Sequence, residues 1–136
     1  MAGTETSRSD RVNIDESVIQ IYKDLTDGAN LEETPFGTYK DVFMFAVCLG
    51  YKGGSRQRLA SGKKHTIRRE VFTENDFTLL KTIAIAETGD VQVLSRTDEI
   101  LTIAEEYAHA GIFVLKAKLI DQRGRALWNL VDIINT

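Results

Sequence analysis

The 136-residue chain has one cysteine, Cys48, one proline, Pro35, and two histidines, His65 and His109. A single thiol excludes an intramolecular disulfide and a cysteine-based zinc site within one chain, and a reducing cytoplasm is the compartment such usage suits. Long apolar runs are missing too. The longest, Val42 to Leu49, covers 8 residues, far short of the ~20 that cross a bilayer. Met1 to Arg11 is small and polar, without the apolar stretch of a secretory signal or anchor. With 43% apolar and 27% charged residues, neither a disordered nor a membrane-embedded chain fits, and the length suits one domain with its own core. The most local shortage is of acid. No Asp or Glu lies between Asp41 and Glu70, while Lys52, Arg56, Arg58, Lys63, Lys64, Arg68 and Arg69 give that stretch +7. The rest of the chain sets ten basic residues against twenty acidic ones, a balance of −10 behind a total of only −3.

Local signals predict an all-α bundle of about five helices with a long basic loop between the second and third. Residues 1–12 read as a disordered tail ahead of a single helical domain, 13–136. Asn13 has the position of a cap, with Glu16 three residues on, for a first helix to Thr26 whose apolar stripe is Ile14, Val18, Ile21, Tyr22 and Leu25. Thr38 and Asp41 start a second helix, 38–49, ending at Gly50; its all-round apolar run places it at the centre of the fold, every face covered. Tyr51–Ile67 is then a Gly, Ser, Lys and Arg loop, with room for a short hairpin over Thr66–Phe72. Loops of this length in compact domains are uncommon and often functional. Thr73 and Asp76 cap a third helix, Phe72 and Phe77 have hydrophobic-staple spacing, and Thr88-Gly89-Asp90 closes it. Ser95 and Asp98 mark the start of a long helix over 96–120, whose apolar stripe stays in phase across Gly111. A glycine there costs ~1 kcal/mol against alanine, which points to a close helix crossing. Gly124 separates it from a last helix, 125–134.

Few side chains suggest catalysis. The glycines of the basic stretch do not make a phosphate-binding loop, because Gln57 stands where the first glycine is required and Lys64 where Ser or Thr is required. Glu106 and His109 share a helical face at Glu-x-x-His spacing, but a dimetal carboxylate site needs two such motifs and further glutamates, so a surface pair is expected and no metal. Cys48 lies inside an apolar run, where a thiol is buried and inert. The acidic pairs, Glu105-Glu106 among them, read as solvated faces. No cofactor is expected. Seven cations on a flexible stretch can neutralise phosphates without reading sequence, since phosphate contacts need charge and reach more than fixed geometry. The candidate nucleic-acid-binding residues are therefore Lys52, Arg56, Arg58, Lys63, Lys64, His65, Arg68 and Arg69.

Four stretches share order and spacing with a known family: Thr38-Tyr39-Lys40-Asp41-Val42-Phe43-Met44-Phe45-Ala46-Val47-Cys48-Leu49-Gly50-Tyr51-Lys52, Arg69-Glu70-Val71-Phe72, Ala84-Ile85-Ala86-Glu87-Thr88-Gly89-Asp90, and Glu105-Glu106-Tyr107-Ala108-His109-Ala110-Gly111. Spread over residues 36–120, they resemble the small proteins called DNA phosphorothioation-associated protein 4, encoded with the Dnd systems. The resemblance implies a bacterial defence context in which sulfur replaces a non-bridging phosphate oxygen of DNA. It also implies that the chemistry belongs to larger desulfurase, sulfurtransferase and ATPase partners, leaving this chain as an accessory component with no catalytic residue to carry over. Two readings follow: a non-catalytic cytoplasmic accessory that contacts double-stranded DNA through residues 52–69, or an assembly module that binds a larger nuclease or ATPase partner, or itself, through a surface near Tyr39, Tyr51 and Tyr107. A small enzyme is the third reading; it requires Glu87, Asp90, Glu106 and His109 to share one cleft.

Overall fold

The computed structural model describes residues 11–28, 30–60 and 62–135. Its first described residues form a strand, β1 (Arg11–Asp15), and not the opening turn of a helix. Val12 and Ile14 alternate with Asn13 and are both buried, and that period of two prevails over the spacing of Ile14 with Val18. The helix cap expected at Asn13 moves to Asp15, whose carboxylate accepts from the Ser17 amide at 2.9 Å and starts a 3-10 turn leading into α1 (Ile19–Thr26). The tail expected over 1–12 lies outside the described residues as far as Asp10, and Arg11 and Val12 belong to β1.

Strand β2 (Lys64–Arg68) pairs antiparallel with β1, Arg11 opposite Arg68 and Asp15 opposite Lys64. The all-α expectation therefore gives way to a fold that is, among the described residues, mostly helical with a two-stranded sheet. In place of the hairpin expected over Thr66–Phe72, β2 finds its partner in β1, with α1 and a second helix lying between the two strands in sequence. A 3-10 turn, Arg69–Val71, follows it.

Helix α2 (Tyr39–Gly53) starts as expected, with the Thr38 hydroxyl accepting from the Asp41 amide at 3.2 Å, but it passes through Gly50. Its left-handed terminator is Gly54, at φ +69°. Gly50 serves packing instead. A Cβ built on it would lie 2.1 Å from the Tyr107 carbonyl oxygen, and one built on Gly111 would lie 1.8 Å from that of Ala46. Tyr107 and Gly111 sit on α4 (Thr97–Leu115), so α2 and α4 cross backbone to backbone at the close approach expected of Gly111. Around it Val42, Phe43, Ala46, Val47, Leu101, Ala104, Ala108, Ile112 and Leu115 are buried, each larger one adding ~1.5–3 kcal/mol of hydrophobic stabilisation. The other side of α2 reaches the surface, and Cys48 is exposed, so the expectation of a buried thiol is corrected.

Helix α3 (Glu74–Thr88) has the full capping box of Thr73 and Asp76 and ends at left-handed Gly89. Phe72 and Phe77 meet as the staple predicts, ring centroids 5.9 Å apart. Lys40 reaches Asp76 at 2.9 Å and ties the start of α2 to that cap. α4 begins after Arg96 with no side-chain cap. Ser95, expected to cap it, donates instead to the Gln92 carbonyl at 2.8 Å. Past Leu115 the helix continues as one π turn, Lys116–Ile120, and buried Leu119 keeps the stripe in phase. Gly124, at φ +97°, separates it from α5 (Ala126–Ile134).

Candidate nucleic-acid interface

The basic segment runs from the last turn of α2 through β2, and the structure separates its cations by what each one touches. Arg56 is the most engaged. Its Nε and Nη2 donate to Glu106 Oε1 at 3.1 and 2.8 Å, and its Nη1 to Glu87 Oε2 at 2.7 Å. Its guanidinium carbon lies 5.8 Å from the centroid of the Tyr107 ring, within reach of a cation–π contact. The Tyr107 hydroxyl donates to Glu87 Oε1. One guanidinium thus joins α3 and α4 to the loop. Burial pulls against the charge on Arg56, but its bonds to Glu87 and Glu106 outweigh that and raise its pKa. The Tyr107 hydroxyl and Arg56 hold the Glu87 carboxyl below the usual range. Tyr107 itself is pushed up to about 12, first by burial and then by Glu87.

Two backbone contacts extend the clamp. The Gln57 amide donates to the Glu106 carbonyl at 3.0 Å, and the Ala60 amide donates to Asp15 Oδ2 at 2.7 Å. Asp15 is buried. Desolvation alone would raise its pKa, but the bonds from Ser17 and Ala60 keep it lowered. Close by, the buried Glu105 accepts from the Asn13 amide at 2.7 Å, holding β1 on α4. Glu105 is not the solvated face that the Glu105-Glu106 pair suggests.

Further along, Lys64 folds back, its Nζ donating to the Ala60 and Gly62 carbonyls, the latter at 3.1 Å. Arg68 pairs with Glu70 at the surface. Arg69 lies over the Phe77 ring at 5.6 Å, and His65 is half-buried. Lys52, Arg58 and Lys63 differ. All three are exposed, and their side chains make no hydrogen bond or ion pair among the described residues.

Of the three tyrosines considered as an interface, Tyr107 is buried and Tyr39 is half-buried against Tyr22, while Tyr51 is 41% exposed and stands edge-on to Tyr107 at 5.5 Å. The Glu106 and His109 pair is split: Glu106 turns to Arg56, and His109 to Asp15, its Nε2 3.9 Å from Oδ2. Burial lowers the His109 pKa, against the pull of Asp15. Asp90 caps the 3-10 turn Val91–Ser95 and faces Arg96 at 3.5 Å. Of the four groups of the enzyme reading, Glu87 and Glu106 share the Arg56 cation, while Asp90 and His109 each lie in a contact apart from it. Among the described residues no three His, Cys, Asp or Glu side chains are placed to hold a metal ion, and no helix is long and apolar enough to cross a membrane.

Asp15, Glu87, Glu105 and Glu106, which hold the basic loop and β1 in place, were not legible as a set. The available signal was Glu105, an acid between the apolar positions Ala104 and Tyr107. One family model, DNA sulphur modification system-associated protein 4, matches residues 11–136, which takes in β1, the clamp and α5. The chain belongs to that family. No curated protein and no solved structure matches it. For this member of the DNA sulphur modification system-associated proteins, the match extends beyond the motifs at 36–120 to both ends of the described fold.

Proposed function

We propose that this protein is a non-catalytic accessory of a DNA sulphur modification system and of the bacterial defence built on it, contacting double-stranded DNA through the clamped basic segment. The observation that carries this reading is the split among the cations. Arg56 and Lys64 fix the shape of the loop, and Lys52, Arg58 and Lys63 are left exposed as phosphate contacts. His65, Arg68 and Arg69 continue the basic surface along and beyond β2. The rest of the chain sums to −10, a charge that disfavours DNA contact away from the basic segment.

Phosphate contacts release counterions, so affinity falls with salt. Three of them predict a slope of about −2.7 in log K against log salt, or a loss of about 40-fold between roughly 50 and 200 mM. The expected outcome of a salt titration by fluorescence anisotropy on a short duplex is that slope, flattened when Lys52, Arg58 and Lys63 are changed to Gln. Affinity indifferent to both salt and these substitutions removes the DNA reading.

The second reading is an assembly module for other proteins of the system. An open groove of about 430 Å³ between α2, α4 and α5, with Leu49, Val114 and Ile133 among its lining residues, favours it. Partners recovered with the native protein that stay bound after nuclease digestion support this reading over DNA tethering.

A further inference from the structure

Helix α5 has the composition of a buried helix in an uncovered place. Seven of its nine residues are apolar, yet only Ala126 is fully buried. A helix that is apolar all round is ordinarily covered on every side. At 100° per residue, Ala126, Leu130 and Ile133 share the side turned to the body, and Leu130 and Ile133 pack on the core. Trp128 and Val131 fall on the outer side and Leu127 and Ile134 on the flank beside it; Leu127 and Val131 are half-buried, while Trp128 is 55% and Ile134 64% exposed. Leu31, 64% exposed, extends the patch. Its neighbour Glu32 lies along α5, accepting from the Leu127 amide at 2.8 Å and from Trp128 Nε1 at 3.2 Å.

The charges beside this face point to its occupant. Arg125 and Asp132 are two helical turns apart on the same flank, with Trp128 between them along the axis. When two such helices meet antiparallel about a twofold axis beside Trp128, Arg125 of each copy comes level with Asp132 of the other. The face is then complementary to itself in charge as well as in apolar character, which is what a closed twofold interface requires. We propose that the outer face of α5 joins two copies of this chain, with Trp128 and Val131 at the centre and the two Arg125–Asp132 pairs at the flank. Arg125 already donates from Nη1 to Glu32, and its guanidinium has further N–H groups for a second carboxylate.

Trp128 is the sole tryptophan, so its emission reports this surface alone. Light scattering on the full chain across a dilution series is expected to give twice the 15.2 kDa chain mass at high concentration, with emission moving to the red as the dimer dissociates. Val131→Glu is expected to weaken dimerisation by about tenfold or more, as loss of a central apolar contact does. Asp132 is exposed but already makes a contact within its own chain, so Asp132→Arg is checked for folding by circular dichroism, and it is expected to weaken the dimer as well by setting arginine against Arg125 of the other copy. A chain of single mass with red emission at every concentration overturns the proposal. So does a dimer unmoved by both substitutions, or an assembly that grows past two copies.

Discussion

Gly111 and Gly50 decide how closely the two central helices approach, because at both positions the space of a side chain is filled by the other helix's backbone. In an open helix Gly111→Ala would gain ~1 kcal/mol. Here the added carbon meets the Ala46 carbonyl, so α2 and α4 must separate along their whole contact. The expected loss is at or beyond the upper end of the ~1–3 kcal/mol typical of overpacking, read as a lowered urea midpoint. Gly53→Ala is the matched control. It lies at the end of α2, away from the crossing, with nothing within 4 Å of a new Cβ, and it should leave the midpoint unchanged or raise it. The crossing at Gly111 was legible because a glycine in mid-stripe has few other reasons to be there. Gly50 was not, because a glycine after an apolar run looks like a helix end, and only the position of Tyr107 on a distant helix shows otherwise.

Among the elements, those written in local chemistry were legible and those that depend on remote partners were not. Thr73, Asp76, Phe72 and Phe77 set the start of α3 within a few residues of one another, and Gly89 sets its end. β1 exists only because Lys64–Arg68 lies beside it and Glu105 accepts its Asn13 amide, and neither fact is present in residues 11–15. The loop after α2 is the same kind of case. Its composition announced charge, but its shape comes from Arg56 reaching acids on two helices. Arg56→Gln is expected to speed hydrogen exchange at the Gln57 and Ala60 amides while shifting overall stability by less than ~1 kcal/mol, since partly exposed ion pairs contribute little. The same variant should keep the salt slope of DNA binding, which Lys63→Gln should reduce. An equal reduction by both would make Arg56 a phosphate contact and not an anchor.

At the scale of the whole molecule, the shifted acids and His109 all pull stability the same way with pH. Asp15, Asp76 and Glu87 have pKa values below their usual range. Their contribution is present above about pH 4–4.5, where the unfolded carboxyls titrate, and is lost as pH falls through the lowered folded values. His109 is also lowered. The unfolded chain therefore takes up its proton first, and stability begins to fall below about pH 6.5. A Tm profile is expected to decline gently from near pH 6.5 and steeply below about pH 4.5, and His109→Gln should remove the gentle part alone. DNA affinity carried by Lys52, Arg58 and Lys63 does not depend on His109 or on these acids, so binding and folding should separate when both are followed against pH. Seen as a hereditary object, the chain has a sharp internal frontier. In saturation mutagenesis scored for folding alone, Gly50 should accept nothing else, while Lys52, two residues on in the same helix, should accept almost any residue. Within a single helical turn the sequence passes from what the architecture holds fixed to what a changing partner is free to rewrite.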